Sequence, residues 1–174
     1  MKKNEKPLIR RAVQPDSSPL SPEMEIREDD LSHPAVIALL AEHLGNMYEL
    51  SPPESVHALD IEKLKSPGIT FWTIWADAEL MGCGALKELD RISGEVKSMR
   101  TPAARRRAGA GRRMLLHIIE VARSRGYRHL FLETGSQAAF VPAQTLYRSA
   151  GFQECGPFGD YQDDPNSAFF RLAL

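Results

Sequence analysis

Five arginines and two glycines crowd into nine residues, Arg105-Arg106-Arg107-Ala108-Gly109-Ala110-Gly111-Arg112-Arg113. Glycine has no Cβ, so a backbone that carries it can come close to a ligand. Downstream, Leu115, Ile118, Ile119 and Ala122 recur at the helical period. The glycines therefore sit where a helix begins. The first helical turn leaves its N–H groups unpaired, at the positive end of the helix dipole. Such a terminus binds phosphates. Guanidinium groups add charge and forked donors. The stretch points to a phosphorylated cofactor.

The elements that must position this stretch can be read on either side of it. Met24 to Arg27 forms a first strand. Ser32-His33-Pro34 starts a helix with Pro34 at its first position. Val36, Leu39, Leu40, His43 and Leu44 make the apolar stripe of that helix, which runs to Tyr48. Ser51-Pro52-Pro53 breaks the chain, and residues 54–65 are helical in part. Ile69 to Ala76 and Leu80 to Glu88 are strands joined by a short hairpin connection at Asp77-Ala78-Glu79. After a turn from Asp90 to Gly94, Glu95 to Thr101 is the third strand of this meander. The helix that follows the glycines covers 112–125 and stops at Gly126. Arg128 to Thr134 is a strand, and Pro142 to Ala150 is a helix ended by Gly151. Phe152 to Gly156 and Ala168 to Leu174 are the last strands. The predicted order is β-α-α-β-β-β-α-β-α-β-β. The fold class is α/β (α+β): a mixed, mostly antiparallel central sheet with helices on both sides.

The chain has 174 residues, 43% of them hydrophobic and 26% charged, as in a globular domain with a real core. Residues 1–22 hold Pro7, Pro15, Pro19 and Pro22 with little to bury, and are expected to be a disordered tail. Residues 23–174 then form one domain. The net charge of −1 offers no global field for nucleic acid. Cys83 and Cys155 are read as free thiols, and the five histidines show no metal-ligand spacing, so no metal is expected. No apolar run suggests a leader peptide or a membrane span, and cytoplasm is the expected setting. The oligomeric state is left open, a homodimer included.

Two segments carry a family resemblance. Arg106-Arg107-Ala108-Gly109-Ala110-Gly111 resembles the (Gln/Arg)-x-x-Gly-x-(Gly/Ala) signature of the GNAT superfamily of N-acetyltransferases. Ala143-Gln144-Thr145-Leu146-Tyr147-Arg148-Ser149-Ala150-Gly151-Phe152 resembles the family's Ala-x-x-Leu-Tyr-x-x-x-Gly-Phe segment. They occur in the family order with one strand between them, and the pair is more specific than either motif alone.

The resemblance implies an acyl-CoA site with acetyl-CoA as donor. Backbone N–H groups from Ala108 to Arg113, including Gly109, Ala110, Gly111 and Arg112, would hold the pyrophosphate beside Arg106 and Arg107. The strand edge at Met99 and Thr101 would pair with the pantetheine arm, and an N–H near Met99 would support the oxyanion. Tyr147 stands where the family often places a general acid for the leaving thiolate. Glu95, eleven residues before Arg106, stands where some relatives place a general base. By strand alternation it should share a face with Lys97, Met99 and Thr101. Glu133 is a second candidate base. Each has a plainer reading too: an exposed strand-end glutamate, a packing tyrosine and a paired structural carboxylate. One position departs from the family. Many relatives carry Asn seven residues before the tyrosine, where this chain has Phe140. Residues 156–167 form a long acidic and aromatic connection that could contact a cationic acceptor.

The expected function is transfer of an acetyl group from acetyl-CoA to a primary amine of a small molecule. A protein amine as acceptor, or a non-catalytic acyl-CoA sensor, are the alternatives. Nucleic-acid binding through the arginines is disfavoured by the balanced charge and the lack of interleaved aromatics.

Overall fold

Patterning at periods of two and 3.6 becomes strands and helices throughout residues 23–174, which the computed structural model describes. The strands are β1 (Met24–Glu28), β2 (Ile69–Ala76), β3 (Glu79–Asp90), β4 (Ser93–Arg100), β5 (His129–Gly135), β6 (Gln153–Cys155) and β7 (Ser167–Ala173). The helices are α1 (Pro34–Leu50), α2 (Ile61–Leu64), α3 (Ala110–Ser124) and α4 (Val141–Ser149). Their order is the predicted one. The expected tail, 1–22, lies outside the described residues.

Local chemistry sets the helix starts. Pro34 opens α1, and His33 Nδ1 accepts from Ala35 N–H at 3.1 Å. Asp60 caps the single turn of α2 by accepting from Lys63 N–H at 2.8 Å. Gly109, at φ 85°, occupies the N-cap of α3 in the left-handed region that favours glycine.

The strands form one sheet in the order β1-β2-β3-β4-β5-β7-β6, antiparallel except where β4 runs parallel to β5. Alternation divides the side chains. Trp72 and Ile74 join Met114, Leu115, Ile118, Leu130 and Phe170 in a core on the α3 side. Phe71 and Trp75 join Val36, Leu39, Leu40 and Leu64 in a second core on the α1 side.

One of the breaks in alternation bears on the site. Lys97 pairs with Ala85 and Arg100 with Cys83, so Ser98 and Met99 together face the single residue Gly84. Ser98 takes φ 54°, and this bulge turns the strand. Met99 then packs against the α3-side core, next to Val96. The expected common face of Glu95, Lys97, Met99 and Thr101 is therefore corrected: Met99 leaves it, and so does Thr101, whose Oγ1 lies 3.5 Å from where Cβ atoms of Gly82 and Gly111 would be. Gly84 makes the room, because a Cβ there would lie 2.8 Å from Met99 Sδ and 2.9 Å from Met114 Cγ.

Candidate active site

β4 and β5 stay paired for only three residues, Ser93 with His129, Gly94 with Leu130 and Glu95 with Phe131. Beyond that rung both strands continue, β4 to Arg100 and β5 to Gly135, without pairing to each other. The bulge at Ser98 lies in this unpaired stretch. The edge of β4 that includes Met99 is thus free to bond an extended ligand arm.

The chain then runs through a 3-10 turn, Ala103–Arg105, and a loop into α3. Arg107, at φ 66°, and Gly109 are both left-handed. Among the described residues, no hydrogen bond uses the backbone N–H of any residue from Arg106 to Arg112, and Arg113 N–H makes the first bond of α3, to Gly109 O at 3.0 Å. These free donors at a helix N-terminus suit a phosphate. Arg106, Arg107, Ala108, Arg112 and Arg113 are exposed around them, whereas the Ala110 methyl is buried in the core and only its backbone is available. Thr101 stands beside this loop, its Oγ1 3.5 Å from where a Gly111 Cβ would be. Arg105 differs from its neighbours: it pairs with Glu79.

Tyr147 projects from α4 into the α3-side core, edge-on to Phe152 at 6.1 Å. Burial, aided by the charge of Glu133, pushes its phenol well above the ordinary range. The phenol is therefore held in its protonated form.

Glu95 is 1% exposed, so it is no strand-end surface glutamate. Its Oε1 accepts from Lys97 Nζ at 2.9 Å and from Tyr161 OH at 2.5 Å, and Lys97 Nζ lies 2.7 Å from Tyr161 OH. The three groups close a triangle between β4 and the β6–β7 connection. Glu133 follows Phe131 by two residues on β5 and so shares the face of Glu95's rung partner. Burial raises its carboxyl to about 7; Lys97 pulls against that rise, and Glu95 and Asp164 add to it. A base with that value suits proton transfer near neutral pH.

The β6–β7 connection folds over this region. Phe158 stacks on Phe131 at 4.8 Å, and Tyr161 meets His57 edge-on at 4.9 Å. Asn166 Nδ2 donates to Ser55 Oγ at 3.4 Å, so this connection also meets the segment ahead of α2. Together the two segments flank an open cavity of about 960 Å³ whose lining includes Glu95, Phe131 and Tyr161. On the α1 side, Arg100 bonds Glu42 at 2.7 Å, and burial pushes His43 down to about 4 with help from Arg100.

The acetyltransferase (GNAT) family model matches residues 35–152, which include the bulged strand, the donor loop and Tyr147. This chain belongs to the GNAT family of acetyltransferases. It is 58% identical over 151 residues to a Bacillus subtilis protein named uncharacterized N-acetyltransferase YsnE, covering 87% of this chain and 100% of that one. It is 50% identical over 149 residues to the Escherichia coli protein named uncharacterized N-acetyltransferase YedL, covering 86% and 94%. Among solved structures, a protein titled acyl-CoA N-acyltransferase from Klebsiella pneumoniae superposes with TM-score 0.69 at 27% identity, over 87% of this chain and 97% of that one. An Elizabethkingia anophelis GNAT acetyltransferase, solved with acetyl-CoA bound, superposes with TM-score 0.64 at 18% identity, over 87% and 98%.

The departure at Phe140 has a visible consequence in this GNAT chain. Phe140 occupies the N-cap of α4 and makes no side-chain cap bond. Its ring instead packs over Gly135, where a Cβ would lie 2.2 Å from Phe140 Cδ2. Gln144, in the second turn, donates to Gly135 O at 2.8 Å and ties α4 to β5. Lys97 and His57 are the site residues that sequence reasoning did not assign, whereas Tyr161 belongs to the 156–167 connection expected to contact an acceptor. Only the Glu95–Lys97 spacing, two apart on one strand face, could have signalled the pair.

Proposed function

We propose that this N-acetyltransferase moves the acetyl group of acetyl-CoA to the primary amine of a small molecule, by direct attack. The carrying observation is the parting of β4 from β5 beyond the Glu95–Phe131 rung, in line with the free N–H groups ahead of α3. The pantetheine arm would lie along β4, with its phosphates on Ala108 to Arg113 between Arg106 and Arg107. The neighbour solved with acetyl-CoA supports that donor.

The amine nitrogen attacks the thioester carbonyl carbon, and a backbone N–H near Met99 takes the developing oxyanion. The carbon–sulfur bond then breaks. Tyr147 gives its proton or a hydrogen bond to the departing sulfur, and the proton lost by the ammonium goes to a carboxylate. We assign that carboxylate to Glu133 rather than Glu95. Glu95 is held by Lys97 and Tyr161, whereas Glu133 is raised toward neutrality. A small molecule is proposed as the acceptor because two chain segments flank a cavity of about 960 Å³, a volume in the range of small-molecule sites. A cytoplasmic setting is proposed with it, in keeping with Cys83 and Cys155 remaining free thiols.

The test is release of CoA thiol from acetyl-CoA in the presence of a panel of amines. Release that depends on an amine, and falls in Tyr147→Phe, supports the reading. Failure to bind acetyl-CoA, or an acetyl-CoA turnover indifferent to every amine, removes it.

A further inference from the structure

The cavity beneath the β6–β7 connection has a chemical character that the transfer reaction alone does not require. Its wall includes Glu54, Glu88, Asp90, Asp160, Asp163 and Asp164. None of these takes part in a salt bridge among the described residues. Lys87 is the one lysine or arginine in the wall, and burial lowers the pKa of the His57 imidazole. The whole chain carries a net charge of only −1, so negative charge is concentrated here.

Two further features favour an organic cation. The inner wall is aromatic: Phe131, Phe158 and Tyr161 line it, and Tyr161 already holds the Lys97 ammonium 5.5 Å from its ring centre. Ser93, 7% exposed, also lines the cavity, and its hydroxyl makes no hydrogen bond among the described residues. A metal ion does not fit this distribution, because among the described residues no three His, Cys, Asp or Glu side chains gather closely enough to hold one. The charges are spread out, as an extended ligand needs.

Register gives the length. Glu133 lies two residues beyond the Glu95–Phe131 rung, whereas Asp90 pairs with Ser93, two residues before it. Four residues of strand span about 13 Å at about 3.3 Å each. Resting on the proposed acetylation of an amine, we propose that the acceptor is a long aliphatic diamine or polyamine: one amine at Glu133, the distal ammonium among Asp90, Asp160 and Asp163. Glu88 is left out because its carboxylate accepts from Tyr127 OH at 3.1 Å on the α3 side.

The experiment compares 1,8-diaminooctane with 1-aminooctane as acceptors, with acetyl-CoA saturating and CoA thiol read out. The diamine should be preferred in kcat/KM by about tenfold or more, since one desolvated charge contact is worth that much. Two variants, Asp90→Asn and the double variant Asp160→Asn with Asp163→Asn, should each bring the ratio toward one. Asparagine keeps the shape and the turn bond from Ile92 N–H to position 90, and circular dichroism checks folding. Equal use of the two amines, or a preference that survives both variants, overturns the diamine site while leaving acetyl transfer intact. If neither amine is acetylated, calorimetry with 1,8-diaminooctane decides: binding that is lost in the variants supports the site, and no binding, or binding that survives them, overturns it. Loss of acetyl-CoA binding or of all amine-dependent turnover would instead count against the acetyltransfer reading.

Discussion

Lys97 Nζ sits 2.9 Å from Glu95 Oε1 with both side chains almost wholly withdrawn from solvent. Removing one partner of such a pair strands the other. Lys97→Met should destabilise the fold by about 3–5 kcal/mol. Adding Glu95→Gln should recover part of that loss, because no buried charge is then left alone. Urea denaturation of the wild type, both single variants and the double variant checks this. A loss in the double variant equal to the sum of the two single losses would show that the pair is not coupled.

Glu133 supplies a pH dependence with a defined sign. Its carboxyl is raised from 4.5 to about 7 in the folded protein. The stabilisation this shift gives is complete below about 4.5 and is lost as pH rises through about 7. The shift is worth at most about 3 kcal/mol. Glu133→Gln should therefore lose less stability than wild type between pH 5 and pH 8. Thermal or urea melts across that range measure the difference.

The same group should shape catalysis. kcat/KM should rise with pH along an acidic limb centred near 7, as Glu133 loses its proton. Glu133→Gln should flatten that limb. Glu95→Gln should leave the limb in place, though its activity falls if the triangle with Lys97 and Tyr161 loosens. A limb that vanishes in Glu95→Gln and persists in Glu133→Gln would return the base to β4.

Tyr147→Phe keeps the ring against Phe152 and deletes the hydroxyl. kcat should fall by roughly 10²–10⁴, with acetyl-CoA affinity little changed. Because burial raises the phenol, wild type should show no basic limb from Tyr147 below pH 10. Steady-state kinetics with calorimetry of acetyl-CoA binding separates the two effects.

Gly111→Val tests the donor loop. Gly111 has an ordinary helical backbone, and its nearest neighbour to a new Cβ is Thr101 Oγ1 at 3.5 Å, so the fold should tolerate a side chain. Acetyl-CoA binding should weaken by tenfold or more, in the order of one lost charge-assisted contact. Gly109 is a less clean site, because its φ of 85° makes any side chain strained there. Calorimetry on the folded variant is the measurement.

Element order was legible because each segment's own periodicity agreed with its final state. Ile69–Ala76 alternates cleanly between the two cores, and the stripe from Leu115 to Ala122 faces one of them. The donor loop was legible for the same reason: glycine chemistry is local. The bulge was not. Glu95, Lys97 and Met99 look equivalent at a period of two, and a serine gives no notice of φ 54° at position 98. Glu95's surroundings were hidden as well, since Tyr161 reaches it from 66 positions away. Arg105 looked like its neighbours until Glu79, across the β2–β3 turn, claimed it.

The three rungs between β4 and β5 leave the sheet as two panels joined by a short hinge. One panel holds β1 to β4 and the other β5 to β7, with little hydrogen bonding to stop them flexing. A cofactor arm seated along the unpaired edges would act as a missing strand and stitch the panels together. The protein should then be stiffer when loaded than when empty. At a cofactor concentration of 100 times Kd, linkage alone adds about 2.7 kcal/mol to its stability. Amide exchange should slow on both sides of the seam, in β5 as well as in β4, although the arm would touch only the seam itself.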